Sequence, residues 1–423
     1  MERQMSIDAK TWLGPGLVFA ATSVGTSHLV QSTRAGALYG FSIILIVVLT
    51  CAVKYLTFKF ASDYTSITGK TILHAYRAQG RHVVYLFLLI TVCSMVFAVP
   101  ALALVCAGLF RVVFGLSVPD VVVGLFLIMV SAVTLAIGRY GALEKVTTVL
   151  VLVMALSTVV ATLLLLPDIQ WNEAGVSLSQ EYGLKDFAFI AALIGWMPAP
   201  LDVSVWHSQW AISKRCEHNN QTDFRKSRLD FQIGYWGTTL LAVCFVMIGA
   251  SLMHKQSIII EDGAVGFAAQ LISLFGLALG DHFSSVIGLA AIAVMFSSLI
   301  SVMDAFPRTF INICHHLATP LHEDKGHQFL VSGRAYLAVL IFVVVEAGVV
   351  YLVGPQSMTG LVDIAATTAF VTAPVIAFFN YKAITGIVLP LNARLSSVTC
   401  ALGKICIFIM AMFAGIYMVF RYL

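Results

Sequence analysis

Two polar interruptions inside apolar runs hold the residues whose types and spacing could do chemistry. The first is Ser23-Val24-Gly25-Thr26-Ser27-His28, within the run Gly14 to Leu38. The second is Gly195 to Asp202, reading GWMPAPLD, within Leu184 to Ser213. An interior proline removes a helical hydrogen bond and clashes with the preceding turn. Backbone groups freed at membrane depth persist only against protein or a wet cavity. Each interruption therefore offers carbonyls, amides and short hydroxyls to a ligand near the middle of a bilayer. Thr22 and Ile194 would present backbone carbonyls, and Gly25, Thr26, Ser27 and His28 would line the first break. Met197, Pro198 and Asp202 would line the second. Broken helices at matching positions in two halves of a chain are the best sequence pointer to a transporter's substrate site.

Each of these side chains also has a plainer reading. A neutral His28 could ligate zinc, copper, nickel or iron, and the Met197 thioether could hold a soft metal. Equally, His28 could bond an unwound backbone, and Met197 could fill a gap in the packing. A buried carboxylate in a membrane is a functional candidate by default, so Asp202 could supply charge or carry a proton. Following Pro-Ala-Pro-Leu, it could instead cap a helix N-terminus. Lys54, Asp304, Glu346 and Asp363 are the other charges at or near membrane depth, as coupling groups or as buried pairs. Lys54 is too deep to reach water easily and calls for an acidic partner or a depressed pKa, and one pair among the four is expected to be a salt bridge. Ser297 and Ser298 could line a cavity or bond back to their own helix. His315, His316, His322 and His327 read as a solvated loop, with metal sensing as the alternative.

The elements that must position these residues are membrane helices. The chain has 423 residues, 59% hydrophobic and 11% charged; soluble proteins carry about 25% charged residues. The sequence predicts an all-α polytopic membrane protein, a single domain over 1–423, with eleven transmembrane helices. They lie near 14–38, 40–62, 83–110, 119–138, 145–167, 184–212, 230–253, 284–306, 334–354, 360–381 and 397–420. Most loop Lys and Arg residues then fall on one side, leaving Arg111, Lys185, Lys255 and Arg421 on the other. By the positive-inside rule the N-terminus is cytoplasmic and the C-terminus outside, in the plasma (inner) membrane. No cleavable signal is expected, because a short polar lead runs straight into the first span. The first ten spans form inverted repeats, about 14–167 and 184–381, each opening with a broken helix; 397–420 is an extra helix. Helices 1 and 6 broken within a 5+5 inverted repeat is the LeuT-type architecture. The eight cysteines form no CxxC pair and read as buried thiols. No nucleotide loop, catalytic triad or metalloprotease motif is present, so neither an enzyme nor a hydrolysis-driven pump is expected, nor any cofactor or nucleic-acid partner.

Several short motifs carry a family likeness. They are Gly14-Pro15-Gly16, the run Arg34 to Phe41 (RAGALYGF), Thr68-Gly69-Lys70, Leu143-Glu144, Met197-Pro198 and Phe370 to Pro374. In this register the chain resembles the NRAMP family of divalent-metal transporters. That family carries Asp-Pro-Gly-Asn at the break of span 1, where Asp and Asn ligate the metal; Gly25, Thr26, Ser27 and His28 stand there in this chain. Its Met-Pro-His in span 6 is Met197-Pro198-Ala199 here, and its acidic residues of span 3 have no counterpart in 83–110. Asp363 falls near the family's glutamine contact, and Asp304 lies in the span that lines its metal and proton paths. The resemblance implies a secondary transporter moving a divalent metal cation by alternating access, with coupling unlike the family's. His28, Met197 and Asp202 would contact the metal, and Ser298 would help complete the wall. A site rich in Ser and Thr without the span 1 Asp also fits a small organic solute such as an amino acid. A membrane sensor that binds without transporting is the third reading. Nothing in the sequence sets an oligomeric state, and a monomer is compatible with it.

Overall fold

Every described element is a helix, and their apolar lengths set the architecture. The computed structural model describes residues 14–138, 140–168, 183–217, 224–256, 258–319, 333–355, 357–387 and 395–422. Eight stretches among them are long and apolar enough to cross a membrane, namely Ser27–Thr68, Arg81–Phe114, Asp120–Ile137, Phe224–His254, Ser284–Ala318, Gly333–Val353, Met358–Thr385 and Ser397–Arg421. The first of these is folded back on itself at Gly40. There φ is +60°, a conformation that glycine adopts without steric cost.

The helices are α1 (Pro15–Ser23), α2 (Thr33–Tyr39), α3 (Ile43–Thr68), α4 (Ile72–Gln79) and α5 (Arg81–Phe114). They continue with α6 (Asp120–Ile137), α7 (Tyr140–Leu165), α8 (Leu184–Trp196), α9 (Val203–Glu217) and α10 (Phe224–Gly249). The last are α11 (Ala264–Leu279), α12 (Ser284–Ala318), α13 (Gly333–Val353), α14 (Met358–Thr385) and α15 (Ser397–Tyr422). Two of them, α4 and α11, fall in stretches expected to be loops. They are too short to register as spans, yet α4 buries Ile72, Leu73 and Tyr76, and α11 buries Phe267, Leu271 and Phe275.

Span 1 is held by α10 at both ends. Gly14 caps α1, Pro15 opens it, and the Asp230 carboxylate of α10 accepts the Gly14 and Gly16 amides at 3.1 and 2.6 Å. An anion at a helix N-terminus is where the free amides and the helix dipole favour it. Gly16 and Gly234 let the two backbones touch: a Cβ on either would lie 2.0–2.1 Å from a carbonyl oxygen of the other helix. Gly36 and Gly249 repeat the device at α2, with carbonyl oxygens 2.0 and 2.2 Å from a built Cβ. Small residues that bring backbones together are how helices associate in lipid, where tails compete equally for apolar surface. This accounts for the Gly14-Pro15-Gly16 motif and for Gly36 in the 34–41 run.

Outside this core, Leu45, Leu49, Phe126, Leu156, Leu240 and Phe408 are all more than half exposed. Apolar exposure on this scale marks an interaction surface, here the lipid. The described cysteines are all free, but Cys314 is exposed and Cys93, Cys400 and Cys406 are only partly covered, so buried thiols describe Cys51, Cys106 and Cys244 alone.

Candidate functional site

Both expected breaks are present. After Ser23 the chain leaves the helix at Val24 (φ −77°, ψ 74°) and re-enters it through a π turn, Ser27–Ser32, that feeds α2. The freed Ser23 carbonyl accepts from the Gly25 amide at 2.9 Å and the Ser27 hydroxyl at 2.6 Å, with His28 Nδ1 at 3.0 Å. His28 Nδ1 also lies 2.8 Å from Ser27 Oγ, and Nε2 lies 2.9 Å from the Thr238 carbonyl of α10. A neutral ring with its proton on Nε2 donates to Thr238, while Nδ1 and the Ser23 carbonyl share the single Ser27 hydroxyl proton. Both nitrogens are then engaged within the protein, and His28 stitches the unwound segment to α10.

Gly25, where the family likeness places a ligating Asp, is pressed against α12. A Cβ there would lie 2.6 Å from Ser298 Oγ and 3.0 Å from Ser298 Cβ. Ser298 Oγ itself lies 3.3 Å from the Ala21 carbonyl oxygen. The side-chain space of position 25 is thus already filled by Ser298.

In span 6, α8 ends at Trp196 and α9 begins at Val203, with a cis peptide between Met197 and Pro198. Gly195 sits so close to α14 that a Cβ would lie 2.0 Å from the Ala366 carbonyl oxygen. Two carbonyls of the break, those of Gly195 and Ala199, accept from Lys54 Nζ at 2.7 and 3.2 Å. Lys54 is 1% exposed. The expected acidic partner is therefore replaced by backbone oxygen. Asp202 stands directly before α9, and the Ser94 hydroxyl of α5 is within hydrogen-bonding reach of its carboxylate. Its Oδ1 is buried without a partner.

The two breaks face one cavity of about 60 Å³, room for roughly four waters. Thr22, Thr26 and Ser27 line it from span 1, Asp202 from span 6 and Ser94 from α5; Trp196, Trp206 and Phe306 form aromatic walls. Trp206 and Phe306 meet edge to face, ring centroids 5.0 Å apart. Thr22 Oγ1, like Asp202 Oδ1, is buried with no hydrogen-bond partner. Two residues lining one small cavity thus each carry a buried oxygen without a partner, and such groups mark where a ligand or water would be taken up. No three His, Cys, Asp or Glu side chains converge as a metal-binding group among the described residues.

Other expected site residues lie elsewhere. Met197 Sδ accepts from Ser32 at 3.4 Å, away from the cavity lining, and the Ile194 side chain faces a separate apolar cavity. Pro198 and Ser298 are also absent from the lining, although Pro200 is present. Asp363 pairs with Arg34 of α2 through bonds of 2.7 and 3.1 Å, joined by Gln31 at 2.9 Å, while Arg34 lies over the Phe189 ring. Asp304 bonds Arg308 and the Tyr336 hydroxyl at 2.7 and 2.6 Å, at the end of span 8 rather than on the cavity. Glu346 is buried with both oxygens unpartnered, on a helix packed against α5 and α6. Hence Lys54, Asp304, Glu346 and Asp363 do not pair with one another. His315 and His316 end α12, with His315 bonded to Thr319, whereas 322 and 327 lie outside the described residues. Ser94, Trp206 and Phe306 were not singled out by sequence, and Arg34 was noted only as part of the 34–41 run; the usable signal for Ser94 is its place, with Thr91, as a small hydroxyl in the apolar span 3.

A model of the family described as natural resistance-associated macrophage protein-like matches residues 16–421. The chain belongs to the Nramp family. Nramp proteins are membrane transporters and not enzymes, in keeping with the motif reading above. An uncharacterized protein of Pasteurella multocida (strain Pm70) is 30% identical over 389 residues, 90% of this Nramp chain and 87% of the relative. Among solved structures, the Eremococcus coleocola manganese transporter in complex with an aromatic bis-isothiourea substituted compound is similar at TM-score 0.70 and 16% identity, covering 96% of this chain and 85% of that one. Mhp1, a nucleobase-cation-symport-1 family transporter closed around bromovinylhydantoin, is similar at TM-score 0.57 and 14% identity, covering 97% and 91%. At such identities these likenesses speak to the fold.

Proposed function

We propose that this Nramp-family protein is a secondary transporter that moves a divalent metal cation by alternating access around the cavity between its two broken helices. The observation that carries the reading is that Thr22 and Asp202, one from each broken span, line the same cavity, and each holds a buried oxygen, Oγ1 and Oδ1, with no hydrogen-bond partner. With His28 and Met197 turned elsewhere, the donors available are one carboxylate and several hydroxyls. Carboxylate, carbonyl and water donors suit Mg²⁺, Ca²⁺ and Mn²⁺ better than soft metals. The cation would keep part of its hydration shell, for which the cavity has room. This replaces the soft site built on His28 and Met197 with an all-oxygen one.

The scaffold reading is eleven crossings: inverted repeats over about 14–167 and 184–381, with 397–420 added, the N-terminus cytoplasmic and the C-terminus outside. The Arg34–Asp363 pair joins α2 to α14 beyond the cavity and would act as the gate on that side. Span 3 lacks acidic residues, so coupling does not use the family's usual proton path.

A second reading keeps the scaffold and changes the cargo to a small organic solute bearing an ammonium group. The three aromatic walls favour it, as does Lys54, whose charge on the far side of the same break offsets that of Asp202. Uptake into proteoliposomes decides between them. Concentrative, saturable uptake of Mn²⁺ or Mg²⁺ supports the metal reading, and uptake of amino acids with no metal movement supports the second. Binding of either without uptake would leave a sensor and overturn both.

A further inference from the structure

Span 6 is held open by a cation that belongs to the chain itself. When a helix stops in mid-membrane, its last carbonyls lose their helical donors, and the dipole places partial negative charge there. Discontinuous membrane helices use such ends to coordinate cations. At the end of α8 the position is taken. The Lys54 ammonium reaches across from α3 and bridges the carbonyls on either side of the unwinding, Gly195 before it and Ala199 within it. No carboxylate forms a salt bridge with Lys54 among the described residues, so backbone oxygen supplies its bonds. Asp202, three residues beyond Ala199, lines the cavity and keeps a buried oxygen without a partner. The break therefore has two uses. One side receives a fixed cation, and the other is left for the substrate.

We propose that Lys54 is a tethered cation occupying the ion position of the span 6 break, so that this segment takes its unwound shape without a diffusible ion bound there. Lys54 is a positioning residue in this scheme: it touches the backbone of the break and not the cavity. The proposal holds whichever solute the cavity accepts.

The surroundings make a direct test available. Behind Lys54 lies an apolar cavity of about 350 Å³ between α3, α8, α14 and α15, walled by Leu49, Ile194, Phe370 and Met410. Lys54→Ala would join the vacated channel to that cavity. The atoms removed correspond to n-propylammonium, which could enter from the apolar side and restore the missing cation. Purified Lys54→Ala in nanodiscs should melt below wild type. n-Propylammonium chloride should return most of the loss in a saturable way, since a ligand of the native state stabilises by mass action. Tetramethylammonium, which has no N–H or O–H to offer the carbonyls, should not. Lys54→Gln supplies donors without charge and should still melt low and lose uptake by about tenfold or more, the equivalent of 1.4 kcal/mol. The inference is overturned if n-propylammonium shifts Lys54→Ala no more than wild type, or if Lys54→Gln melts and transports like wild type. Should Lys54→Ala not be recoverable, the Gln variant decides. The melting readout needs no substrate, so a failed metal-uptake assay would leave it standing.

Discussion

Adding one methyl group at Gly25 should unsettle the site more than its size suggests. A Cβ there would sit 2.6 Å from Ser298 Oγ and 3.0 Å from Ser298 Cβ, where ordinary contact begins at 3.4 Å. The hydroxyl could rotate away, giving up a long bond of 3.3 Å to the Ala21 carbonyl. The Ser298 Cβ could not follow, because it is fixed to the α12 backbone. Helix α12 or the span 1 break would then have to shift by a few tenths of an ångström. Overpacking of this kind costs about 1–3 kcal/mol. For a chain of this length that is roughly 1–5 °C in melting temperature. Ser298→Gly removes both offending atoms, at about 1 kcal/mol for a helical glycine. The expected cycle is therefore non-additive: Gly25→Ala with Ser298→Gly should melt within about 1 kcal/mol of Ser298→Gly alone. Thermal melts of the four proteins in one detergent measure this. Gly25→Ala melting with wild type, or a double variant as low as the sum of the singles, would refute the packing argument. The same pair of positions tests the metal site, since Gly25→Asp with Ser298→Gly restores a carboxylate at the family's ligand position with space to hold it. That double variant should bind Mn²⁺ more tightly than wild type, whereas Gly25→Asp alone should fold poorly.

Three further outcomes follow from the charges. Asp202→Asn should leave melting within about 1 kcal/mol of wild type yet weaken cation uptake by about 2–5 kcal/mol, roughly thirtyfold to several thousandfold; uptake assays on folded protein check it. Arg34→Gln or Asp363→Asn should cost more stability than the ~1 kcal/mol of a fully exposed pair, because Arg34 is 9% exposed in its side chain although Asp363 is 34% exposed. Either change should raise the reactivity of a cysteine placed at Thr26 toward a membrane-impermeant reagent, and a charge-swapped double variant should lower it again. Glu346→Gln should be neutral or stabilising in a thermal melt, since both oxygens of the wild-type carboxylate are buried without partners.

What could be read before the structure was the scaffold, because length and periodicity carry it. Gly25 and Pro198 sit inside apolar runs, where a kink or packing point was the plainer reading, and it is the pairing of two such interruptions that pointed to broken helices. The assignment of individual side chains was far less legible. Lys54 called for an acidic partner or for easier loss of its proton, and the hydrogen bonds it makes go to the Gly195 and Ala199 carbonyls, 141 and 145 residues away. A sequence shows which residues carry charge but not where a helix end will bring its carbonyls. For His28 the residue type left a metal ligand and a backbone anchor both open, and its Nε2 goes to the Thr238 carbonyl. Ser94, Trp206 and Phe306 were missed because ordinary apolar spans hold such residues everywhere, and only packing selects the ones that reach a cavity. The short helices α4 and α11 escaped because they lie below the length that marks a crossing.

The two breaks share a construction that explains why the cavity has the donors it has. Each unwound segment exposes several carbonyls, and leaving them unpaired in lipid would cost several kcal/mol apiece. In span 1 the Ser23 carbonyl is served by Gly25 and Ser27, and His28 anchors the segment to Thr238. In span 6 the Gly195 and Ala199 carbonyls are served by Lys54. Each break thus carries one buried basic side chain that sews its outer face to the scaffold or closes it from behind. The inner faces are left with Thr22 Oγ1 and Asp202 Oδ1 unpartnered. Specificity in such a site comes from the groups not consumed by holding the backbone, which here are oxygens. A softer donor would have to be freed from structural work before it could bind anything, and for His28 that would mean releasing span 1 from α10.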